Sequence, residues 1–388
     1  MDPLLNPYVP GAGRRPSALV GREEQQQRWH VALSRLQSGR SAQHLCLYGL
    51  RGVGKTVLLS DLAAAAARQG WLVAKVEADP NRALRDSLAD ALHAPLSDLA
   101  APKAGQRIRK ALKTAASFVR ASYDSTGTWS FGLDLSNDAG GGADTGTLHI
   151  DLNKLVADLS LAQDGCGLAI LIDEAQDLSA DEMSAICTIA HRATQDGWPF
   201  LLALAGLPSL PRILAEARSY TERMFAYDVV GSLPEPAAAG ALRQPAEAEG
   251  VAWDDDAVAY LVAQTSGYPY FLQQYGQETW NAAEGSRLTM VDARLGAAHG
   301  RGALDNGFFR SRWERATRAE QRYLRAMAQD QDRGSSTATV AERLGGSLQT
   351  FGPTRAKLIH KGLIYAPEHG MVAFTVPTMA EFIARQPT

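Results

Sequence analysis

Cysteine is scarce in this chain, and long apolar runs are missing. Three cysteines, Cys46, Cys166 and Cys187, occur in 388 residues, and their spacing fits neither a disulfide framework nor a metal site. We therefore expect small buried thiols in a reducing compartment, the cytoplasm. No apolar run reaches the roughly 18 residues of a membrane span, so the sequence predicts no membrane partner. Residues 1–17 lack a basic start followed by an apolar core, so we expect no secretory signal.

A large excess of one charge is also missing, since 39 Lys and Arg face 42 Asp and Glu. The balance nevertheless changes along the chain. From residue 301 onward, 13 Lys and Arg face 8 Asp and Glu, whereas the preceding part carries 26 against 34. A basic end on an acidic body is compatible with nucleic-acid binding by that end.

The sequence does contain the stretch GLRGVGKT, residues 49–56, which we call the phosphate loop. It fits the pattern G-x-x-x-x-G-K-[ST], with an apolar strand-like run before it and a helical run after it. The N–H groups of such a loop converge on one point, where the following helix adds the positive end of its dipole. The expected nucleotide contacts are Gly49, Arg51, Gly52, Val53, Gly54, Lys55, Thr56 and Val57, with Lys55 at the β- and γ-phosphates and Thr56 on Mg²⁺.

Strand-like and helix-like patterns alternate over the first part of the chain. Apolar runs at 44–48, 71–78, 168–178, 200–208 and 226–234 predict five strands. The alternation predicts an α/β fold of the P-loop NTPase kind, a parallel sheet with helices on both faces and the ligand at the carboxyl ends of the strands. Pro95 and Pro102 are expected to break the helical pattern, which resumes at Gln106.

The predicted organisation has four parts. An N-terminal arm (1–18) precedes the ATPase core (19–233), which contains a flexible surface insertion (122–147) with a strand-like stretch at 129–135. A small helical lid without strands (234–303) and a winged-helix domain (304–388) follow. In the last part, one long helix (308–329), a short helix, a turn, a second helix and a hairpin are expected.

Two adjacent acids, Asp173 and Glu174, close the third predicted strand. In P-loop NTPases an acid at this place holds Mg²⁺, and a neighbouring acid polarises the attacking water. We therefore predict that Thr56 and Asp173 bind the metal. Glu174 is the predicted general base, and Lys55 is expected to assist catalysis from the phosphate loop.

Arg223 stands just before the fifth predicted strand. A guanidinium that contacts the γ-phosphate offsets charge in the transition state. Arg223 can act in cis or from a neighbouring subunit of an ATP-dependent homo-oligomer, and Arg218 is the alternative residue.

Five segments together resemble the AAA+ ATPases of the origin-recognition and initiator group and, equally, the related signalling ATPases of the STAND class. The segments are VGREE, GLRGVGKT, LAILIDEAQD, the pair Glu222 and Arg223, and SGYPYFLQ. The resemblance covers residues 19–280, and the predicted winged helix extends it to the end.

The resemblance implies ATP or ADP as ligand, together with Mg²⁺ and ATP hydrolysis. It implies base-side contacts from Val20, Gly21 and Arg22, and closure of the lid by a G-x-P segment that includes Tyr268 and Pro269. Two departures predict slow hydrolysis. Tyr270 stands where initiators carry a lid arginine, and Ala205 and Gly206 end the fourth strand where a polar residue is usual.

The second helix of the predicted winged helix carries residues suited to DNA phosphates and base edges, namely Thr354, Arg355, Lys357 and Lys361. One hypothesis is an ATP-driven switch that binds double-stranded DNA. The alternative is a STAND-type regulatory ATPase whose winged helix contacts a protein partner. The acidic body, the G-x-P segment and the missing lid arginine favour the alternative.

Overall fold

The computed structural model describes residues 1–11, 13–99, 106–122, 143, 145–160 and 167–387. Most of the predicted insertion at 122–147, including the strand-like stretch 129–135, lies outside these residues, as do Pro102 and Cys166. Among the helices of the described ranges, none is long and apolar enough to cross a membrane.

A five-stranded parallel sheet forms the centre of the first 233 residues, with its strands in the spatial order second, third, fourth, first and fifth. The third and fourth strands are buried on both faces along their whole length, which explains their uninterrupted apolar sequences. The predicted parallel α/β sheet is therefore confirmed. In chain order the strands are β1 (His44–Tyr48), β2 (Leu72–Glu77), β3 (Leu168–Asp173), β4 (Phe200–Gly206) and β5 (Phe225–Val229).

Helices cover both faces of this sheet. They are α1 (Glu23–Gln37), α2 (Lys55–Arg68), α3 (Leu84–Leu99), α4 (Gln106–Ser122), α5 (Leu148–Ser160), α6 (Ala180–Asp196), α7 (Leu210–Ala217) and α8 (Thr221–Met224). Alternate residues of a strand serve opposite faces, so Leu45 and Leu47 of β1 pack in one core while Cys46 packs in the other. The first core includes Trp29 of α1, and the second includes Leu88 of α3.

Pro95 lies inside α3, so the predicted break at this proline is wrong. Leu84, Leu88 and Leu92 are at most 2% exposed, and Leu96 continues the same apolar stripe beyond the proline. Burial contributes about 1.5–3 kcal/mol for each leucine, which together exceeds the cost of about 3 kcal/mol for an internal proline. The buried stripe therefore sets the length of this helix.

The next part of the chain contains four helices, α9 (Glu235–Ala248), α10 (Asp255–Thr265), α11 (Pro269–Ala282) and α12 (Met290–Ala303). It also contains a small parallel sheet of two strands, β6 (Ala252–Trp253) and β7 (Arg287–Leu288). The prediction of a lid without strands is thus wrong in this detail. Strands of two residues are too short to carry a periodic signal, although Trp253 and Leu288 are buried.

The C-terminal segment, residues 304–387, follows the predicted order of helix, turn, helix and hairpin. Its elements are a π-helical segment (Leu304–Phe309), α13 (Arg310–Glu314), α14 (Arg318–Ala328), β8 (Ser335–Ser336), α15 (Thr337–Arg343), α16 (Leu348–His360), β9 (Ile364–Tyr365), β10 (Met371–Phe374) and α17 (Met379–Ala384). The strands form an antiparallel sheet in the order β8, β10, β9.

The single long helix predicted at 308–329 is interrupted. Thr317 has an extended backbone, and its side chain accepts the N–H of Glu320 while the Glu320 carboxylate accepts the N–H of Thr317. This capping box starts a new helix at Arg318, because it satisfies the donors of a first turn. The helical periodicity on both sides conceals the interruption.

Candidate functional site

The phosphate loop joins β1 to α2 and gathers backbone groups at the start of α2. Gly54 precedes the helix with φ 92°, a left-handed conformation that favours glycine, and no side chain caps the helix. Gly49 lies so close to the end of β5 that a Cβ there would be 1.9 Å from the carbonyl oxygen of Val230. The uncapped first turn of α2 is suited to an anion.

Lys55 is buried at this helix start. Its Nζ donates to the carbonyl oxygens of Gly49 at 2.9 Å and Leu50 at 2.8 Å. Burial lowers the pKa of Lys55 to about 8, although the carboxylates of Glu174 and Asp173 act in the opposite direction. An ammonium has three N–H donors, so a third can bind an added anion.

Thr56 and Asp173 meet, as the sequence predicts. The Thr56 hydroxyl donates to Asp173 Oδ2 at 2.5 Å, and Asp173 Oδ1 accepts the N–H of Glu174 at 2.9 Å. Within the described ranges, no three His, Cys, Asp or Glu side chains are grouped to hold a metal ion by themselves. Mg²⁺ usually takes one or two protein oxygens together with waters and phosphates, so this pair fits Mg²⁺ bound with a nucleotide.

Glu174 has a left-handed backbone with φ 46°, which costs a non-glycine residue on the order of 1–3 kcal/mol. Its Oε1 lies 3.5 Å from NH1 of Arg51, and its Oε2 accepts Nε2 of Gln176 at 2.7 Å. Gln176 Oε1 in turn accepts the N–H of Leu207 at 2.9 Å. The carboxylate of Glu174 is therefore held between the phosphate loop and the end of β4.

Gln176 also explains why β4 ends in a glycine. A Cβ at Gly206 would lie 2.5 Å from Gln176 Oε1, so a side chain at position 206 would displace the amide. The polar group at this end of β4 thus comes from Gln176. The sequence contains no motif for Gln176, and its only signal is its place two residues after Glu174.

Four carboxylates lie near one another at the carboxyl ends of β2 and β3. Burial first, and then the charges of Asp173 and Glu174, raise the pKa of Glu77. Burial and the charge of Glu174 likewise raise the pKa of Asp177, although Arg51 acts in the opposite direction. This concentration of negative charge favours a cation beside Asp173.

A cleft of about 410 Å³ lies over the phosphate loop. Its walls comprise the loop, Glu174, the arm, the lid residues Pro269, Tyr270 and Gln273, and Arg312 of α13. One carboxylate, that of Glu174, lines the cleft among the described residues. The cationic lining residues are Arg14, Arg22, Arg51, Lys55 and Arg312. The excess of positive charge matches a polyphosphate ligand.

The N-terminal arm forms one wall of this cleft, a position that no sequence motif indicates. Tyr8 is 1% exposed, donates through its hydroxyl to the carbonyl oxygen of Leu242 and accepts Nε1 of Trp253 at 2.9 Å. Arg15 pairs with Asp61 of α2 at 2.8 Å. The arm therefore connects the lid to α2. A tyrosine within a Pro-rich stretch is the only signal in the sequence.

Of the predicted base-side contacts, Val20 lines the cleft. Arg22 is 6% exposed, and its NH2 donates to the carbonyl oxygens of Val53 at 3.1 Å and Gly231 at 2.6 Å. Burial lowers the pKa of Arg22. Arg22 therefore braces the phosphate loop as well as lining the cleft. Gly21 packs outside the cleft, against the side chain of Ala237.

The G-x-P segment of the lid contacts the phosphate loop directly. Gly267 has φ 66°, and a Cβ there would be 2.3 Å from the carbonyl oxygen of Leu233. The buried Tyr268 donates its hydroxyl to the carbonyl oxygen of Arg51, and the N–H of Tyr270 donates to that of Gly52 at 3.3 Å. Tyr268 thus touches loop backbone, whereas Pro269 lines the cleft.

The amino-acid sequence of residues 18–203 matches the AAA ATPase domain family. We call this part of the chain, which is similar to AAA ATPase domains, the ATPase domain. The predicted resemblance to AAA+ P-loop ATPases is thereby confirmed. Residues 306–383 match a domain of unknown function, DUF8462. No curated protein matches the chain.

Several solved structures are similar to this chain over most of its length. A Walker-type ATPase of Pyrococcus abyssi is similar over 95% of this chain and 97% of its own, with 15% identity and a TM-score of 0.55. The Orc1 protein of Aeropyrum pernix, solved in complex with DNA, has 18% identity, coverage of 96% and 94%, and a TM-score of 0.43. The RuvB Holliday junction branch migration motor of Thermotoga maritima has 14% identity, coverage of 97% and 100%, and a TM-score of 0.45.

Arg223 is exposed at the opposite end of β5 from the phosphate loop of its own ATPase domain. Strands β1 and β5 pair in register from His44 with Phe225 to Tyr48 with Val229, and the loop follows Tyr48. The length of these strands separates Arg223 from the loop by on the order of 13 Å or more. In this arrangement, the side chain of Arg223 does not reach the phosphate loop of its own chain.

The four residues predicted to contact DNA do not form one exposed surface. Lys357 is exposed on α16, and Thr354 is half-buried. Arg355 has a buried Nε without a hydrogen-bond partner and lines a cavity of about 500 Å³ between α16 and α7 of the ATPase domain. Lys361 donates to Oε2 of the buried Glu320 at 2.7 Å and to the carbonyl oxygen of Arg315 at 2.9 Å, so two of its three N–H donors are already used inside the protein.

The C-terminal segment also touches the phosphate loop. The N–H of Arg51 donates to the carbonyl oxygen of Thr375 at 2.9 Å, and the Thr375 hydroxyl donates to the carbonyl oxygen of Gly362 at 2.8 Å. A Cβ at Gly362 would lie 2.9 Å from NH2 of Arg51. The loop of the ATPase domain is therefore in contact with both the lid and the C-terminal segment.

Proposed function

We propose that this protein is an ATP-binding switch that hydrolyses ATP slowly in the presence of Mg²⁺. The contact of 2.5 Å between Thr56 Oγ1 and Asp173 Oδ2, beside the buried Lys55, carries the proposal. It brings a hydroxyl, a carboxylate and an ammonium to one uncapped helix start. These are the groups that a nucleotide with its metal requires.

In this proposal, the phosphates of ATP or ADP bind the backbone N–H groups of the phosphate loop. The Lys55 ammonium turns from the carbonyl oxygens of Gly49 and Leu50 toward the phosphate oxygens. Thr56 and Asp173 hold Mg²⁺, which neutralises phosphate charge when it is bound. Val20 and the arm enclose the base side of the cleft.

Glu174 is the proposed general base for the attacking water. Gln176 orients its carboxylate from one side, and Arg51 faces it from the other. Both contacts compete with water for the carboxylate oxygens. This competition supports slow turnover.

Two substitutions test the proposal. Lys55→Ala removes the buried cation and should weaken ATP binding at least 100-fold in equilibrium titration, a loss of about 2.7 kcal/mol or more. Glu174→Gln keeps the shape of the side chain and should bind ATP like the parent while phosphate release is lost. Lys75→Ala, which removes an exposed lysine from β2, is the control. ATP affinity unchanged by Lys55→Ala would contradict the proposal.

We further propose that Arg223 acts in trans within an ATP-dependent homo-oligomer. Its exposed position at the far end of β5 supports this role. Solution mass measured for Glu174→Gln with and without ATP tests it, because this variant should retain the nucleotide. A monomer under both conditions would exclude the role in trans.

The C-terminal segment is the proposed output element, a winged helix by the order of its elements. Because the N–H of Arg51 donates to the carbonyl oxygen of Thr375, a movement of the phosphate loop would be transmitted directly to the C-terminal segment. Two outputs follow from the sequence, a protein partner and double-stranded DNA. The internal ion pair of Lys361 and the position of Arg355 facing α7 favour the protein partner in this arrangement.

DNA is the second candidate, supported by the excess of basic residues after position 300 and by the exposed Lys357. A salt titration of binding to a duplex, with and without ATP, tests it. Affinity through phosphate contacts must fall steeply as salt rises, and Lys357→Ala should reduce the salt slope by about one. The absence of duplex binding at low salt in both nucleotide states would exclude this candidate.

A further inference from the structure

Arg312 enters the cleft from outside the lid. It lies in α13, directly after the π-helical segment Leu304–Phe309, and lines the cleft together with Lys55, Thr56 and Glu174. Turns of π-helix occur frequently at functional sites. The position of Arg312 therefore invites a functional explanation.

An aromatic stack supports the guanidinium of Arg312. Its NH1 donates to the carbonyl oxygen of Phe308 at 2.7 Å, and its Cζ lies 3.9 Å from the centre of the Phe308 ring. Phe308 in turn stacks on Tyr270 with the ring centres 4.8 Å apart. Tyr270 is the residue at the lid position where the resemblance implies an arginine. In this chain, the ring of Phe308 therefore lies between a cation from α13 and the aromatic residue at that position.

The charge of Arg312 is not balanced by a carboxylate. None of the ion pairs between described residues includes Arg312, and the hydrogen bond to Phe308 uses one of its five N–H donors. Burial first, and then the positive charge of Arg51, lower the pKa of Arg312 to about 10. Two neighbouring guanidinium groups in a cleft with a single lining carboxylate favour an anionic ligand.

The contacts of Arg51 indicate which end of the cleft Arg312 faces. Arg51 NH1 lies 3.5 Å from Oε1 of Glu174, the proposed general base. Arg312 lines the same cleft as Arg51 and Glu174. Arg312 therefore belongs to the end at which hydrolysis would take place.

We propose that Arg312 binds the terminal phosphate of ATP and thereby distinguishes ATP from ADP. This inference rests on the proposed function, because it requires a nucleotide in the cleft. At the other end of α13, NH2 of Arg315 donates to the carbonyl oxygen of Lys361, and Lys361 Nζ donates to the carbonyl oxygen of Arg315. A shift of α13 toward the phosphate would therefore move the end of α16, within the proposed output element.

Equilibrium titration of the full chain with AMP-PNP and with ADP, each with Mg²⁺, tests the proposal. Arg312→Ala should lower the affinity for AMP-PNP about tenfold or more, the effect of one lost charge-assisted hydrogen bond. The affinity for ADP should change less than twofold. Arg312→Lys keeps the charge without the planar fork and should give an intermediate loss for AMP-PNP.

Arg310→Ala is the matched control, because Arg310 is an exposed cation two residues earlier in the same helix. It should leave both affinities unchanged. Retained binding of ADP shows that Arg312→Ala is folded. If thermal unfolding shows that Arg312→Ala is unfolded, the affinities of Arg312→Lys for AMP-PNP and ADP test the proposal instead. Equal losses for both ligands, or no loss for AMP-PNP, would overturn the assignment. Failure of the proposed function gives a different result, because the parent chain would then bind neither ligand.

Discussion

The phosphate loop and α16 were both predicted to bind phosphate groups, those of a nucleotide and those of DNA. In the loop, Lys55 and Thr56 lie at one helix start beside Asp173. On α16, Lys357 is exposed, whereas Lys361, directly after the helix, forms an ion pair with the buried Glu320. The nucleotide-binding groups of the loop point to one place because they belong to residues that are adjacent in the chain. The basic residues of a helix are distributed according to what packs around the helix.

Gly49→Ala should have the largest effect, because it would displace the backbone of the phosphate loop and so disturb the arrangement of its nucleotide-binding groups. The added Cβ would lie 1.9 Å from the carbonyl oxygen of Val230, and backbone cannot move aside as a flexible side chain can. We expect a loss of about 3 kcal/mol in the free energy of unfolding and a large loss of ATP affinity. Urea unfolding and nucleotide titration measure the two effects. Gly231→Ala is the control, since no atom lies within 4 Å of its Cβ position.

Lys361→Met concerns the basic residues at α16, and it tests whether the charge of Lys361 stabilises the fold. The substitution leaves the buried Glu320 carboxylate without its cation. We expect a loss of about 1–3 kcal/mol at pH 7, less than for a fully buried pair because Lys361 is partly exposed. Urea unfolding measures the loss. Lys357→Met should cost less than about 0.5 kcal/mol. Equal costs for both substitutions would contradict the internal role.

The pH dependence of Lys361→Met follows from the same ion pair. Burial alone would raise the pKa of Glu320, but the hydrogen bonds from Lys361 and Thr317 outweigh it and lower the pKa. A lowered carboxylate pKa stabilises the folded state above the ordinary value, and this contribution is lost as pH falls through the lowered value. The difference in stability between the parent and Lys361→Met should therefore shrink below roughly pH 4.

A pH titration of ATP affinity gives the smallest effect and concerns the loop. Because burial lowers the pKa of Lys55 to about 8, its ammonium loses a proton as pH rises through this value. ATP binding requires the charged form, so affinity should fall roughly tenfold between pH 7 and pH 9. Lys55→Arg remains charged over this range and should abolish the decrease. A decrease of the same size in Lys55→Arg would assign it to another group.

The sheet could be predicted closely from the sequence, because its information is local. Strands β3 and β4 are uninterrupted apolar runs with turn residues after them, and both were located to within a few residues. The errors arose where tertiary contacts compete with local preference. Burial of Leu92 and Leu96 carries α3 through Pro95, and the capping box of Thr317 divides a continuous helical pattern.

The candidate site was predictable only in part for the same reason. In the phosphate loop and in the pair of acids, the functional groups belong to residues that are adjacent in the sequence, so a sequence motif is enough to identify them. Gln176 and Arg312 contact the site, and Tyr8 holds the arm that lines it, from elements whose sequences contain no motif for the site. Their positions depend on how the chain segments pack.

The sequence by itself determined the phosphate loop, the carboxylates after β3 and the parallel sheet between them. Each of these depends on residues close together in the chain, where backbone geometry and apolar periodicity act directly. Only the tertiary structure decided that the arm encloses the cleft, that Lys361 turns inward and that Arg312 faces Glu174 and the phosphate loop. These positions result from packing between segments distant in sequence, where burial and charge pairing select one arrangement among many that the local pattern allows.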